Sequence, residues 1–161
     1  MDIRFRMGAS GKAAVEAAAR RFERAASGGL QRRLVQGLAQ EAPSALAETR
    51  AAWMGVEVTS SRGGGSSSGL RARVAAATTS SATGRGVKFE VEPAAVDPAY
   101  GRSLTYGLNG MGRWRHPTWG RPPWQQQTGQ EVFFKTLRGH EPGFEGRLVR
   151  VVDQVAREIE G

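Results

Sequence analysis

Between residues 113 and 124 the chain reads Arg113-Trp114-Arg115-His116-Pro117-Thr118-Trp119-Gly120-Arg121-Pro122-Pro123-Trp124. Three of its four Trp lie here, with three Arg and no acid. Guanidinium groups hold carboxylates and phosphates in bidentate fashion and stack on aromatic rings. Trp and Arg are also the side chains enriched where one protein grips another. The stretch reads either as an anchor surface, made by Arg113, Trp114, Arg115, His116, Trp119, Arg121 and Trp124, or as a mini-core with the rings folded under a helix. The two readings are compatible if one Trp faces in and another out.

Other chemistry is sparse. Cysteine is absent, so there are no disulfides, thiolate nucleophiles or cysteine metal sites. The two His, His116 and His140, fall in separate segments. No Ser is placed as a nucleophile beside them, and a structural zinc site is not expected. The Gly63-Gly64-Gly65 run lacks the Lys-Ser/Thr ending of a phosphate loop. Glu90 and Glu92 are the one close carboxylate pair, and an alternating strand commonly carries such a solvated face. These residues predict no enzyme and no cofactor.

The elements that must position the Trp/Arg stretch come next. With 161 residues, 24% charged and 39% hydrophobic, the chain is expected to be a single globular domain spanning 1–161. No apolar run reaches membrane-span length, and the N-terminus lacks the apolar core of a signal peptide. The net charge of +8 is uneven: residues 131–161 hold five basic and six acidic side chains, whereas 111–130 hold only Arg113, Arg115 and Arg121. Such a balance makes nucleic acid a candidate neighbour.

Ile3, Phe5 and Met7 alternate with polar residues as in a short strand, and residues 12–26 are Ala-rich and helical in pattern. Leu30, Leu34, Leu38, Ala42, Ala45, Leu46, Thr49 and Trp53 form one stripe of a long amphipathic helix, with a kink or break expected at Pro43. Arg62–Gly69 has the composition of a flexible loop, and Arg62, Gly63, Gly64, Gly65 and Ser66 are expected to become ordered against a neighbour. Leu70–Thr79 alternates, and Val87–Glu92 alternates cleanly. Together they predict an antiparallel hairpin with a longish loop around Thr83–Gly86. Pro93 and Pro98 end the sheet, Asp97–Tyr100 is a turn, and residues 101–110 suggest one short helical turn. Residues 111–130 read as a loop, because Pro and Gly exclude a continuous helix or a central strand. Phe144, Leu148, Val151, Val152, Val155 and Ile159 mark a final amphipathic helix. The fold class is α+β: a small antiparallel sheet against a long kinked helix and a C-terminal amphipathic helix.

In this order the parts resemble the minor virion proteins at the head–tail neck of long-tailed phages, the neck or tail-completion family, in versions from phages of high-GC actinobacteria. The resemblance rests on Tyr106-Gly107-Leu108-Asn109-Gly110 followed by Trp114-Arg115-His116-Pro117 and Trp119-Gly120, then Trp124 and Gln127. Phe133-Phe134 looks like that family's aromatic-Pro segment without the Pro, and the likeness covers residues 28–160. It implies a virion protein assembled in the host cytoplasm, forming a hexameric or dodecameric ring that joins or completes the tail. Its partners would be copies of itself, neighbouring neck and tail proteins, and DNA in the channel, with no membrane. The other reading is a stand-alone basic nucleic-acid-binding protein, since aromatics beside Arg grip single strands.

Overall fold

The computed structural model describes residues 2–4, 19–20, 29–57, 69–110, 112–118 and 121–160. The expected helix over 12–26, apart from helical Ala19 and Arg20, and the Gly/Ser loop at 62–68 lie outside them. Helices are α1 (Gly29–Gly55), α2 (Leu70–Ala77), α3 (Pro93–Val96), α4 (Gly101–Asn109), α5 (Val132–Gly139) and α6 (Glu141–Glu160). Strands are β1 (Asp2–Arg4), β2 (Thr78–Thr83), β3 (Gly86–Val91), β4 (Arg113–Thr118) and β5 (Arg121–Thr128). The first three form a sheet in the order β1-β3-β2, and β4 and β5 form a two-stranded sheet. The fold class is α+β, as the patterning predicts.

The residues divide into two compact units, each assembled from separate stretches of chain. One holds residues 46–79 and 90–137, the other 2–45, 80–89 and 138–161. The long helix α1 contributes to both.

In the first unit, the stripe of α1 delivers Thr49, Trp53 and then Val56 to the core, all three fully buried. Trp53 stacks near-parallel on Phe133 of α5 at 6.1 Å, and Phe134 meets Phe133 edge-on at 5.7 Å. Such ring pairs add to the area they bury. Leu70, Val74 and Ala77 complete the floor. These three are spaced i, i+4, i+7 on α2, which corrects the expected strand at 70–79. Leu70, Ala72, Val74 and Ala76 fit the strand period and Leu70, Val74 and Ala77 the helical one, but four Ala and two Arg favour helix, and the burial follows 3.6. Gly69 opens the helix in the left-handed region at φ 67°. Arg71 donates from Nη1 to the carbonyls of Met54 and Val56 at 3.0 and 2.8 Å, tying α2 to the end of α1.

The second unit packs the first half of α1 against α6 and the sheet. Leu30, Ala42 and Ala45 are buried on α1, and Phe144, Leu148 and Val155 on α6. Val87 and Phe89 supply the apolar face of β3, with Phe89 edge-on to Phe144 at 6.1 Å. The two helices approach where Gly37 meets Val151: a Cβ at Gly37 would lie 2.8 Å from Val151 Cγ2.

Of the kink or break expected at Pro43, the break is absent, because α1 runs through it. An interior Pro costs one ladder bond and about 3 kcal/mol. Pro43 is exposed while Ala42 and Ala45 beside it are buried, so packing on both flanks carries the helix across. The hairpin differs too: β2 and β3 are joined by two residues, Gly84 and Arg85, where a longish loop was expected. Residues 101–109 form two and a half turns of helix, longer than the single turn expected. No helix among the described residues is long and apolar enough to cross a membrane.

Candidate functional site

The Trp/Arg stretch is a two-stranded ribbon, which corrects the expected loop. Among the described residues no third strand pairs with it, so both strands are edges, and Pro is tolerated on an edge. The ribbon is antiparallel, with Arg113 opposite Thr128, Trp114 opposite Gln127, Arg115 opposite Gln126, His116 opposite Gln125 and Pro117 opposite Trp124. A register shift follows Pro117, and Thr118 is set opposite Arg121. The side chains of Trp114, of His116–Thr118 and of 121–127 lie outside the described residues, as do Trp119 and Gly120. So do Arg62, Gly63, Gly64, Gly65 and Ser66 of the expected interface loop.

Residues directly opposite in an antiparallel pair share a face, and faces alternate along each strand. The backbone register therefore sorts the predicted site residues. Arg113, Arg115 and Pro117 share one face with Trp124, Gln126 and Thr128. Trp114 and His116 share the other with Gln125 and Gln127. Of the first set, Arg113, Arg115 and Thr128 are all exposed. By backbone register, Trp124 falls on the face of the two exposed Arg and Trp114 on the other.

The foot of the ribbon is tied down by backbone hydrogen bonds. Gly129 N–H donates to the Gly112 carbonyl at 2.9 Å, and Gln130 N–H to the Leu108 carbonyl at 2.8 Å. Gly129 is buried against the end of α4: a Cβ there would lie 2.1 Å from the Gly110 carbonyl oxygen and 2.2 Å from that of Gly107. Only glycine permits this approach. Buried Asn109 accepts from the Phe133 N–H through Oδ1 at 2.9 Å, joining the foot to α5. Further back, Gly101 sits where a Cβ would meet the Pro93 carbonyl oxygen at 1.8 Å. Asp97 Oδ1 accepts from the Ala99 and Tyr100 N–H groups at 2.9 and 2.8 Å. Those two bonds, Tyr100 first, and then Arg73 hold the Asp97 carboxyl below its usual range. The expected turn at 97–100 is thereby fixed at the entrance to α4. Sequence reasoning missed Gly129 and Asn109 as site residues, although the segment 106–110 stood out.

Charge around the ribbon is one-sided. From Pro98 to Gln130 there is no Asp or Glu, while Arg102, Arg113, Arg115 and Arg121 fall inside that stretch. Arg102, Arg113 and Arg115 are exposed and have no acidic partner among the described residues. Tyr100 and Tyr106 are each 54% exposed on and beside α4.

The remaining candidates take structural places. Glu92 caps α3 by accepting from the Ala94 N–H at 3.2 Å. The His140 carbonyl accepts from the Phe144 N–H at 3.1 Å at the start of α6. Among the described residues, no group of three or more His, Asp or Glu stands together as metal ligands. A groove of about 400 Å³ lies in the second unit between α1 and α6, walled by Gln36, Gln40, Arg150 and Gln154. Arg33 pairs with Glu158, and Arg147 with Glu41 at 3.4 Å, at its margins. The Arg33 contact first, then a bond from Gln154, holds the Glu158 carboxyl below its usual range.

Compared with protein-family models, with curated proteins and with solved structures, the chain gives no match.

Proposed function

We propose that this chain is a structural protein of the head–tail neck of a long-tailed phage, one subunit of a ring that joins or completes the tail around the DNA channel. In this reading the β4–β5 ribbon grips a neighbouring neck or tail protein. The role is architectural, without catalysis or cofactor, and the location is the virion. The observation that carries it is the ribbon itself. Its foot is locked by Gly129 against α4, and its register gathers Trp124 with exposed Arg113 and Arg115 in a stretch with no carboxylate. Exposed guanidinium groups on the same face as a Trp position suit docking onto an acidic protein surface.

The same acid-free stretch, with the exposed rings of Tyr100 and Tyr106, also favours a second reading as a nucleic-acid-binding surface. One set of variants separates the two. Under the docking reading, Trp124→Ala, Arg113→Gln and Arg115→Gln abolish or weaken tail joining in an in vitro assembly assay. Each changes folding stability by less than about 1 kcal/mol. DNA retention by the joined particles stays normal. Normal joining with impaired DNA retention overturns the docking reading in favour of the second. A stability loss of about 3–5 kcal/mol in Trp124→Ala, with normal joining by the folded remainder, overturns both and makes the ring a core element.

A further inference from the structure

The sheet β1-β3-β2 ends at β2, and no described strand pairs its outer side. The two-residue connection Gly84-Arg85 sets Thr83 opposite Gly86 as the closing hydrogen-bonded pair. Hydrogen-bonded pairs then recur every second residue, so Ser81 and Thr79 also point their backbone groups toward β3. The Glu92 N–H donates to the Ala77 carbonyl at 3.0 Å, which is the same register two residues further on. Thr78, Ser80 and Ala82 therefore point their N–H and C=O groups outward. Thr78 is already satisfied: its carbonyl accepts from Arg50 Nε and Nη2 at 3.1 and 2.8 Å, and its N–H donates to the Ala75 carbonyl. Ser80 and Ala82 are left with four outward backbone groups.

Edge strands are ordinarily blunted by Lys, Pro or a bulge. β2 reads Thr-Thr-Ser-Ser-Ala-Thr, with no charge and no Pro, and Thr79 and Ser81–Thr83 are exposed. We infer that the outer edge of β2, at Ser80 and Ala82, is a docking site for an extended, acid-ended segment of another protein, which would add as a further strand. Backbone bonds to Ser80 and Ala82 supply the pairing, as in other strand additions. The charge argues for the acid. Arg85, at the end of the hairpin, is exposed and has no acidic partner among the described residues. A second copy fits less well. Antiparallel self-pairing centred on Ser81 sets Ser80 against Ala82 of the other copy, and it brings that copy's Arg85 beside Thr78, where Arg50 already sits. Two guanidinium groups then meet, whereas a carboxylate meets none of its kind. This surface is separate from the ribbon and stands or falls without the neck reading.

Amide exchange on the full chain, read by NMR, tests it. In the free protein Ser80 and Ala82 exchange at least about tenfold faster than Ser81, since only the latter lies in the ladder. The probe peptide is acetyl-Glu-Val-Thr-Val-Glu-amide, whose two ends serve either strand direction. At millimolar concentration it slows exchange at Ser80 and Ala82. It binds more weakly when its Glu are replaced by Gln or when the protein carries Arg85→Gln. A backbone N-methylated version, which cannot pair, has no effect. Protection of Ser80 and Ala82 in the free protein overturns the proposal, because the edge is then covered. So does an unchanged exchange rate with peptide, or an equal effect from the N-methylated peptide. Equal binding of the Gln peptide overturns the acidic partner. Protection that grows with protein concentration alone replaces the partner by a second copy.

Discussion

Two arginine-bearing regions of this molecule make opposite use of the same residue. On α1 and α6 two Arg meet acids: Arg33 holds Glu158 and Arg147 holds Glu41. On the ribbon, Arg113 and Arg115 stand exposed in a stretch with no acid from Pro98 to Gln130. The net charge of +8 hides this. In the helix pair, charge is spent within the unit at exposed sites, where ion pairs contribute little and are screened by salt. On the ribbon, Arg113 and Arg115 have no acidic partner among the described residues. The scaffolds differ as well. At the ribbon foot glycine meets backbone oxygen, whereas at the helix crossing it meets the tip of a side chain.

That difference in scaffolding gives the largest expected effect. Gly129→Ala drives a Cβ into two carbonyl oxygens that cannot move without dismantling the end of α4, and costs about 3 kcal/mol or more. Gly37→Ala meets Val151 Cγ2, which can rotate away, and costs about 1 kcal/mol. Urea unfolding of the two variants compares them, and equal losses would erase the contrast between the two contacts.

A middle-sized effect concerns Arg50. Its two bonds to the Thr78 carbonyl are charge-assisted, and Thr78 is buried. Arg50→Ala leaves that carbonyl without its donor and costs about 1.5–3 kcal/mol. Arg113→Ala, on the ribbon, changes unfolding midpoints by no more than scatter. If Arg113→Ala proves as destabilising as Arg50→Ala, the ribbon Arg has an internal partner and the comparison fails.

The smallest effect is electrostatic. Glu158 has a lowered folded-state pKa, so its contribution is present above the unfolded glutamate value and is lost as pH falls through the lowered one. Asp97 has the same sign in the first unit, with its main cause in backbone N–H groups. Salt therefore moves the Glu158 titration toward its ordinary range more than that of Asp97, because backbone bonds are not screened as an ion pair is. Side-chain NMR titrations at low and high salt read this, and Arg33→Gln raises the Glu158 pKa while leaving Asp97 in place. Equal salt responses would show that Asp97 depends on Arg73 as much as on its turn.

The long-range periodicities were legible in the chain itself. The stripe from Leu30 to Trp53, the stripe from Phe144 to Val155 and the alternation of Val87, Phe89 and Val91 each became a buried face. A repeat sustained over many residues needs one partner surface, whatever that surface is. Short or ambiguous patterns were settled by tertiary structure. Residues 70–77 satisfy both periods over only eight positions, and helix propensity with burial of Leu70, Val74 and Ala77 decided for α2. Pro43 signalled a kink or a break, and the helix continues through it without the break. Pro117, Pro122 and Pro123 correctly excluded a central strand, but they do not exclude a ribbon with two edges. Contacts between distant segments are beyond local reading altogether. Gly129 meets Gly107 and Gly110, and Arg33 meets Glu158 from 125 residues away, and nothing in either local sequence names its counterpart. Composition and period determine which faces must be buried. Only the folded backbone decides which glycine must yield to a carbonyl and which arginine finds an acid.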